Sequence, residues 1–170
     1  MGDVGLGINP QLKAYIKSSD LLLCIGARLG ENTTGGYSLL KVPNTENPLV
    51  HVHPDPNELG RVYSPEISLA CNSSDFLEEA LSSAEKKRSD LTKLRNDYCS
   101  WREPYETPGA VKMEQIILQL NDVLAEEAIV TNGAGNYAAW LHRYFQYKSY
   151  KTQLAPTSGS MGYGIPAGIS

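Results

Sequence analysis

The spacing of apolar residues changes several times along the chain. Residues 9–20, NPQLKAYIKSSD, set Leu12, Tyr15 and Ile16 at helical intervals behind Asn9 and Pro10, a plausible cap and first turn. The continuous apolar run LLLCIG, 21–26, then predicts a strand buried on both faces, as in parallel sheets. Two further runs, Leu49 to His53 and Ile67 to Cys71, predict two more strands. Asp75 to Glu78 has a capping-box pattern and opens a helix with the stripe Phe76, Leu77, Ala80, Leu81 and Ala84. Residues 30–48 lack helical periodicity and predict a long loop, or a short helix near Tyr37 to Leu40.

From 85 to 108 the composition turns charged. Leu91, Leu94, Tyr98 and Trp101 recur at intervals of three, four and three, which predicts a surface helix within a linker. A second series follows. Residues 113–127 form an amphipathic helix pattern through Met113, Ile116, Ile117, Leu120, Val123 and Leu124. AIVTNGAGN is a short strand running into glycines, NYAAWLHRYFQ a helix, and YKTQLAP a weak strand. The fold class is therefore α/β: two incomplete parallel-sheet, Rossmann-like layers joined by a helical linker, with boundaries 1–84, 85–108 and 109–170. Three strands with two clear helices leave one face of the first sheet poorly covered.

Composition narrows the partners. With 15 basic and 19 acidic residues the net charge is −4, which gives no reason to expect nucleic acid or an anionic membrane. Lys86-Lys87-Arg88, flanked by Glu85 and Asp90, reads as a solvated helix surface. No run approaches the length of a membrane helix, and the N-terminus has no signal-peptide pattern. Cys24, Cys71 and Cys99 are far apart with no CxxC spacing, so a reducing cytoplasm is the expected compartment.

Four places carry candidate chemistry. IVTNGAGNYAAW, 129–140, is a strand, a glycine turn and a helix; such a turn suits a phosphate, or simply needs glycine for its dihedrals. His51 and His53 share one strand face, a spacing that opens a metal site if further ligands exist; His142 is the one other histidine. The alternative is a strand end lining a cleft. Arg28, just past the first strand, suits a phosphate or carboxylate, or an exposed loop. The terminal TSGSMGYGIPAGIS crowds Gly159, Gly162 and Gly164 around Met161 before Pro166. The glycines let a backbone approach something closely and exclude a regular helix before Pro166, and Met161 is presented between them.

These residues resemble a family. SGSMGYGIPAGIS is similar to the GxMGxGxPxAxxA segment of thiamine-diphosphate enzymes of the acetolactate synthase type. VTNGAGNYAAWLHRYF resembles the strand-turn-helix of their pyrophosphate-binding domain, and DLLLCIGARLGE, PLVHVHPDPNELGR and ISLACNSSDFLEEAL resemble the second part of their central domain. The resemblance runs in order through essentially the whole chain. It implies a partial central domain over 1–84 and the start of the pyrophosphate-binding domain over 109–170, both belonging to a longer protein. It implies thiamine diphosphate with Mg²⁺ as cofactor, a 2-oxo acid substrate, and decarboxylase or carboligase chemistry in a homodimer or tetramer. Met161 would prop the bent cofactor, the Gly159 carbonyl would accept from its amine, and Gly135, Asn136 and Tyr137 would meet the diphosphate. Relatives often have Gln-His where this chain has Asn136-Tyr137. The family's metal-binding Gly-Asp-Gly segment comes after the point matched by Ser170, so the chain alone is expected to be inactive and to bind the cofactor weakly. FAD, bound by some members near the positions of Arg28 and the HVHPDP turn, is not predicted, because Gly30-Glu31-Asn32 departs from their pattern. Two rival readings stay open: a nucleotide- or FAD-binding module, and an interaction domain that kept the fold and lost the site.

Overall fold

The computed structural model describes residues 2–83 and 90–170. Two compact units divide between Tyr98 and Cys99. The basic cluster Lys86-Lys87-Arg88 and Ala84 of the predicted stripe lie outside the described residues.

In the first unit, helix α1 (Pro10–Ser18) begins as its pattern dictates. The Asn9 side chain accepts from the Gln11 N–H at 2.9 Å, and Pro10 fills the first helical position, where no N–H is needed. Strands β1 (Leu22–Ile25), β2 (Leu49–Val52) and β3 (Ile67–Leu69) form a parallel sheet in the order β1-β2-β3. The register sets Leu23, Val50 and Ile67 in one row across it. As the middle strand, β2 carries the burial: Leu49, His51 and Val52 are all at 2% exposure or less. β1 departs from the expectation of burial on both faces, since Leu23 is 50% exposed, and so is Ile67 at the other edge. The apolar run marked a strand; its edge position and a thinly covered sheet face left half of it in water.

Between β1 and β2 the chain makes a series of turns rather than a helix. Thr34, fully buried, ties them: its hydroxyl donates to the Gly30 carbonyl at 2.8 Å, and its own carbonyl accepts from Ser38 and Leu39. After β2 comes a short 3-10 turn, Pro56–Glu58, capped by Asp55. Helix α2 (Ser73–Ser83) starts two residues ahead of the predicted box at Asp75, because the Asn72 carbonyl already accepts from Phe76. Helix α3 (Thr92–Trp101) lies within the charged stretch, and the division between the units falls inside it.

The second unit contains α4 (Met113–Val123), β4 (Val130–Thr131), α5 (Ala138–Tyr144), β5 (Gln153–Leu154) and α6 (Gly164–Ile169). α4 is shorter than the predicted 113–127, because Leu124 turns extended and caps it. β4 and β5 pair in parallel. Ile117 of α4 packs against Leu141 and Tyr144 of α5 to form the core. The last carbonyls of α5 have no partner within the helix. Arg102 supplies donors to the carbonyls of Arg143 and Tyr144, both at 3.2 Å, and Asn121 adds a third at 2.9 Å to Tyr144. In return the Arg143 guanidinium lies 3.6 Å from the centre of the Trp101 ring and donates to its carbonyl.

Helix α6 starts two residues before Pro166, not at it. The expectation treated Gly164 as a helix breaker, yet here it permits contact. A β carbon on Gly164 would stand 2.8 Å from the Gly133 nitrogen, and one on Gly168 would stand 3.1 Å from the Thr131 hydroxyl. Four residues apart, the two glycines form one bare stripe that lets α6 lie on β4. Gly159 and Gly162 differ: each has positive φ, at +72° and +81°, and open space where a side chain would go. Gly164→Ala should therefore destabilise the second unit by about 1–3 kcal/mol, as overpacking does. Gly159→Ala should cost only about 1 kcal/mol, for left-handed backbone. Urea unfolding followed by far-UV circular dichroism checks the ranking.

Candidate functional site

The first candidate region lies where the parallel strands of the first unit end, the usual place for a ligand in an open α/β sheet. Its groups are engaged with one another. The His51 Nε2 lies 2.8 Å from the Ala27 carbonyl, so that nitrogen carries the proton and joins the ends of β1 and β2. His53 Nδ1 accepts from the Asp55 N–H at 3.0 Å and so shapes the turn into Pro56–Glu58. The two rings meet edge to face, 6.2 Å apart. Among the described residues no three His, Cys, Asp or Glu side chains gather as a metal site. His142 lies on α5, in the other unit.

Arg28 follows the same logic. It reaches the Glu58 Oε1 at 2.7 Å, and Arg61 reaches the same oxygen at 2.8 Å. Glu58 is buried beneath two exposed arginines. Arg28 and Arg61 hold its carboxyl below the ordinary value of 4.5, the hydrogen bond from Arg28 contributing most, against the opposing effect of burial. Glu58 was missed at the sequence level. The available signal was its place three residues before Arg61, just after Asp55-Pro56, which puts acid and base on adjacent turns.

The second candidate region belongs to the second unit. β4 delivers Asn132 and Gly133 into the glycine turn, and α6 brings the terminal segment against the same backbone. The Thr131 hydroxyl fixes this by donating to the Gly164 carbonyl at 2.7 Å. Two stretches that are separate in sequence, 131–133 and 162–168, thus share one wall. An apolar groove of about 580 Å³ opens between α4, β4 and α6, lined by Ile117, Leu120, Val130, Tyr137, Ile165 and Ile169 among others. Met161 is 88% exposed on the loop before α6, and Gly159 beside it has open space.

Gly135, Asn136 and Tyr137 lie in the turn before α5. Gly133 and Gly135 lack side chains, but the space is not empty. A β carbon on Gly133 would meet the Tyr137 hydroxyl oxygen at 2.6 Å, and one on Gly135 would meet its ring at 2.7 Å. The Tyr137 ring lies along the turn. The amides of Ala138, Ala139 and Trp140 donate to the carbonyls of Gly135, Asn136 and Tyr137 at 3.0 to 3.2 Å, so they too are engaged.

Residues 1–80 match the family model described as thiamine pyrophosphate enzyme, central domain. Similarity to curated proteins runs on through the second unit. The chain is 29% identical over 167 residues to "Acetolactate synthase 2, chloroplastic" of Nicotiana tabacum, covering 91% of this chain and 24% of that protein. It is 27% identical over 165 residues to "Probable acetolactate synthase 2, chloroplastic" of Oryza sativa subsp. japonica, covering 89% and 24%. With "Acetolactate synthase, chloroplastic" of Arabidopsis thaliana it shares 26% identity over 167 residues, covering 91% and 24%. The chain spans about a quarter of the length of these relatives. For the diphosphate that such a cofactor carries, the turn offers no vacant cradle on its side-chain face, because the Tyr137 ring packs against Gly133 and Gly135 there. The Gly159–Met161 loop has no such obstruction.

Glu58 generates a pH dependence. Its carboxyl is held low in the folded chain, so its stabilising effect is complete above the ordinary value of 4.5 and is lost as pH falls through the lower folded value. Thermal unfolding midpoints at about pH 6 and about pH 3 should show a larger drop for the natural chain than for Glu58→Gln. Equal drops would mean that the two arginines do not hold this carboxylate.

Proposed function

We propose that this chain, which is acetolactate synthase-like and whose residues 1–80 belong to the central-domain family of thiamine pyrophosphate enzymes, supplies part of a thiamine diphosphate site in an enzyme acting on a 2-oxo acid. The observation that carries the reading is the wall shared by residues 131–133 and 162–168. Two stretches with family resemblance meet on one strand through backbone contact that only glycine permits. Met161, raised on the adjoining loop, is the residue we assign to the cofactor's bend, and the Gly159 carbonyl the acceptor beside it. Gly135, Asn136 and Tyr137 are assigned to the diphosphate end on the family resemblance alone, with Mg²⁺ as the accompanying ion. The reaction class is decarboxylation or carboligation, carried out by a homodimer or tetramer. Three free cysteines fit a reducing cytoplasm. Among the described residues no helix is long and apolar enough to cross a membrane.

Calorimetric titration of the 170-residue chain with thiamine diphosphate and Mg²⁺ tests the reading. Saturable but weak binding is expected, at a free energy of about −4 to −6 kcal/mol. Met161→Ala leaves the core untouched and should weaken binding about tenfold, the loss of one exposed thioether side chain that the bound cofactor would bury. Binding of FAD in place of thiamine diphosphate would select the nucleotide-module reading. Micromolar or tighter binding of thiamine diphosphate would contradict the expectation that this chain forms only part of the site.

A further inference from the structure

We infer that residues 102–112 are a strap on the second unit, hinged at Arg143 and latched at Glu114, and that protonation of Glu114 lifts the latched end while the hinge holds. This stretch contains no helix or strand, yet it is tied down at both ends. At the hinge, the Arg143 guanidinium lies 3.6 Å from the centre of the Trp101 ring, 4.8 Å from that of Tyr105 and 5.0 Å from that of Tyr144. Its Nε donates to the Trp101 carbonyl at 2.7 Å, and Arg102 donates in return to the carbonyls of Arg143 and Tyr144. A guanidinium stays charged at every pH a folded protein meets, so this end does not titrate.

The latched end is built on a buried carboxylate. Glu114, in the first turn of α4, is 2% exposed. The Thr107 hydroxyl spans its two oxygens at 3.0 and 2.9 Å. Lys112 gives its amine to the Thr107 carbonyl and stands 3.8 Å from Glu106, so residues 107–114 close on themselves. The charge is thus held chiefly by hydrogen bonds at a helix N-terminus. The Glu114 amide, then the Thr107 hydroxyl and amide and the Lys112 charge, hold the carboxyl below the ordinary value of 4.5, against the effect of burial. Facing this latch are Lys112 and Glu106 from the strap and, from α5, the Tyr144 phenol, which burial pushes up. The latch is therefore fully closed above 4.5 and opens as pH falls through the lower folded value. α4 and α5 stay joined through Ile117, Leu141 and Tyr144, so the opening is local.

NMR of the 170-residue chain at about pH 6 and about pH 3 tests the strap. The Thr107 amide, which donates to the Glu114 carboxylate, reports the latch; the Phe145 amide, which donates to the Leu141 carbonyl at 3.0 Å, reports α5. Protection of the Thr107 amide from hydrogen exchange should fall about tenfold at the lower pH, while that of Phe145 is kept. Ring-current shifts that Trp101 imposes on the Arg143 side chain should persist at both pH values, because the hinge holds. Glu114→Gln, uncharged throughout, should show the low Thr107 protection at both. The comparison within the natural chain needs no variant, so it decides the matter even where Glu114→Gln fails to fold. Glu58 lies in the first unit, and its acid response is read on that unit's amides. Equal Thr107 protection at the two pH values overturns the latch. Loss of protection at Thr107 and Phe145 together, or loss of the Arg143 shifts, overturns the hinged strap in favour of unfolding of the whole unit. A folded Glu114→Gln that keeps Thr107 protected at pH 6 overturns the role of the Glu114 charge.

Discussion

The second unit depends on one close approach, that of the α6 backbone to β4. Strand β4 is two residues long and pairs with β5 along one edge, through Val130 and Asn132 donating to Thr152 and Leu154. So short a ladder carries little stability by itself. What holds it is the contact of Gly164 with the Asn132–Gly133 backbone, with Gly168 against Thr131 one helical turn on. The Thr131 hydroxyl closes the arrangement by satisfying the Gly164 carbonyl. Everything assigned to ligand recognition follows from that contact. The glycine turn leaves from the end of β4, and the loop carrying Gly159 and Met161 enters α6 directly.

In the first unit the same kind of place, the ends of parallel strands, has a different fate. His51, His53, Arg28 and Glu58 are the residue types from which ligand sites are made. Each is spent on internal order: a carbonyl just past the end of the neighbouring strand, a turn amide, a shared carboxylate. Burying Glu58 without its arginines would leave a charge unpaired in a poorly solvated position, which is costly. Sharing one carboxylate oxygen between two exposed arginines removes that cost and ties the β1 end to the turn after β2. The polarity of this edge is thereby explained by the fold itself.

Much of the architecture was legible in the residues. Asn9-Pro10 announced a helix start, and the three apolar runs announced parallel strands in the right places, because capping chemistry and strand composition are local. Helix limits were less legible. α4 stops at Val123 although Leu124 continues its stripe, since an apolar side chain says where it would pack and not whether the backbone stays helical. Exposure was illegible too: Leu23 is as apolar as Leu49, yet one lies on an edge strand and the other on the middle one.

The glycines draw the line between sequence and tertiary structure. By itself the sequence determined an α/β chain with two glycine-bearing segments, each following or preceding a regular element, because spacing, punctuation and capping act over a few residues. That Gly164 and Gly168 serve contact while Gly159 and Gly162 serve left-handed turns was decided by the neighbours that folding brings to them. The same holds for Gly133 and Gly135. Their bareness reads equally well as a cradle for a phosphate or as room for a ring. Only the folded turn, which lays Tyr137 back over them, distinguishes the two, since a missing side chain makes space without specifying what fills it.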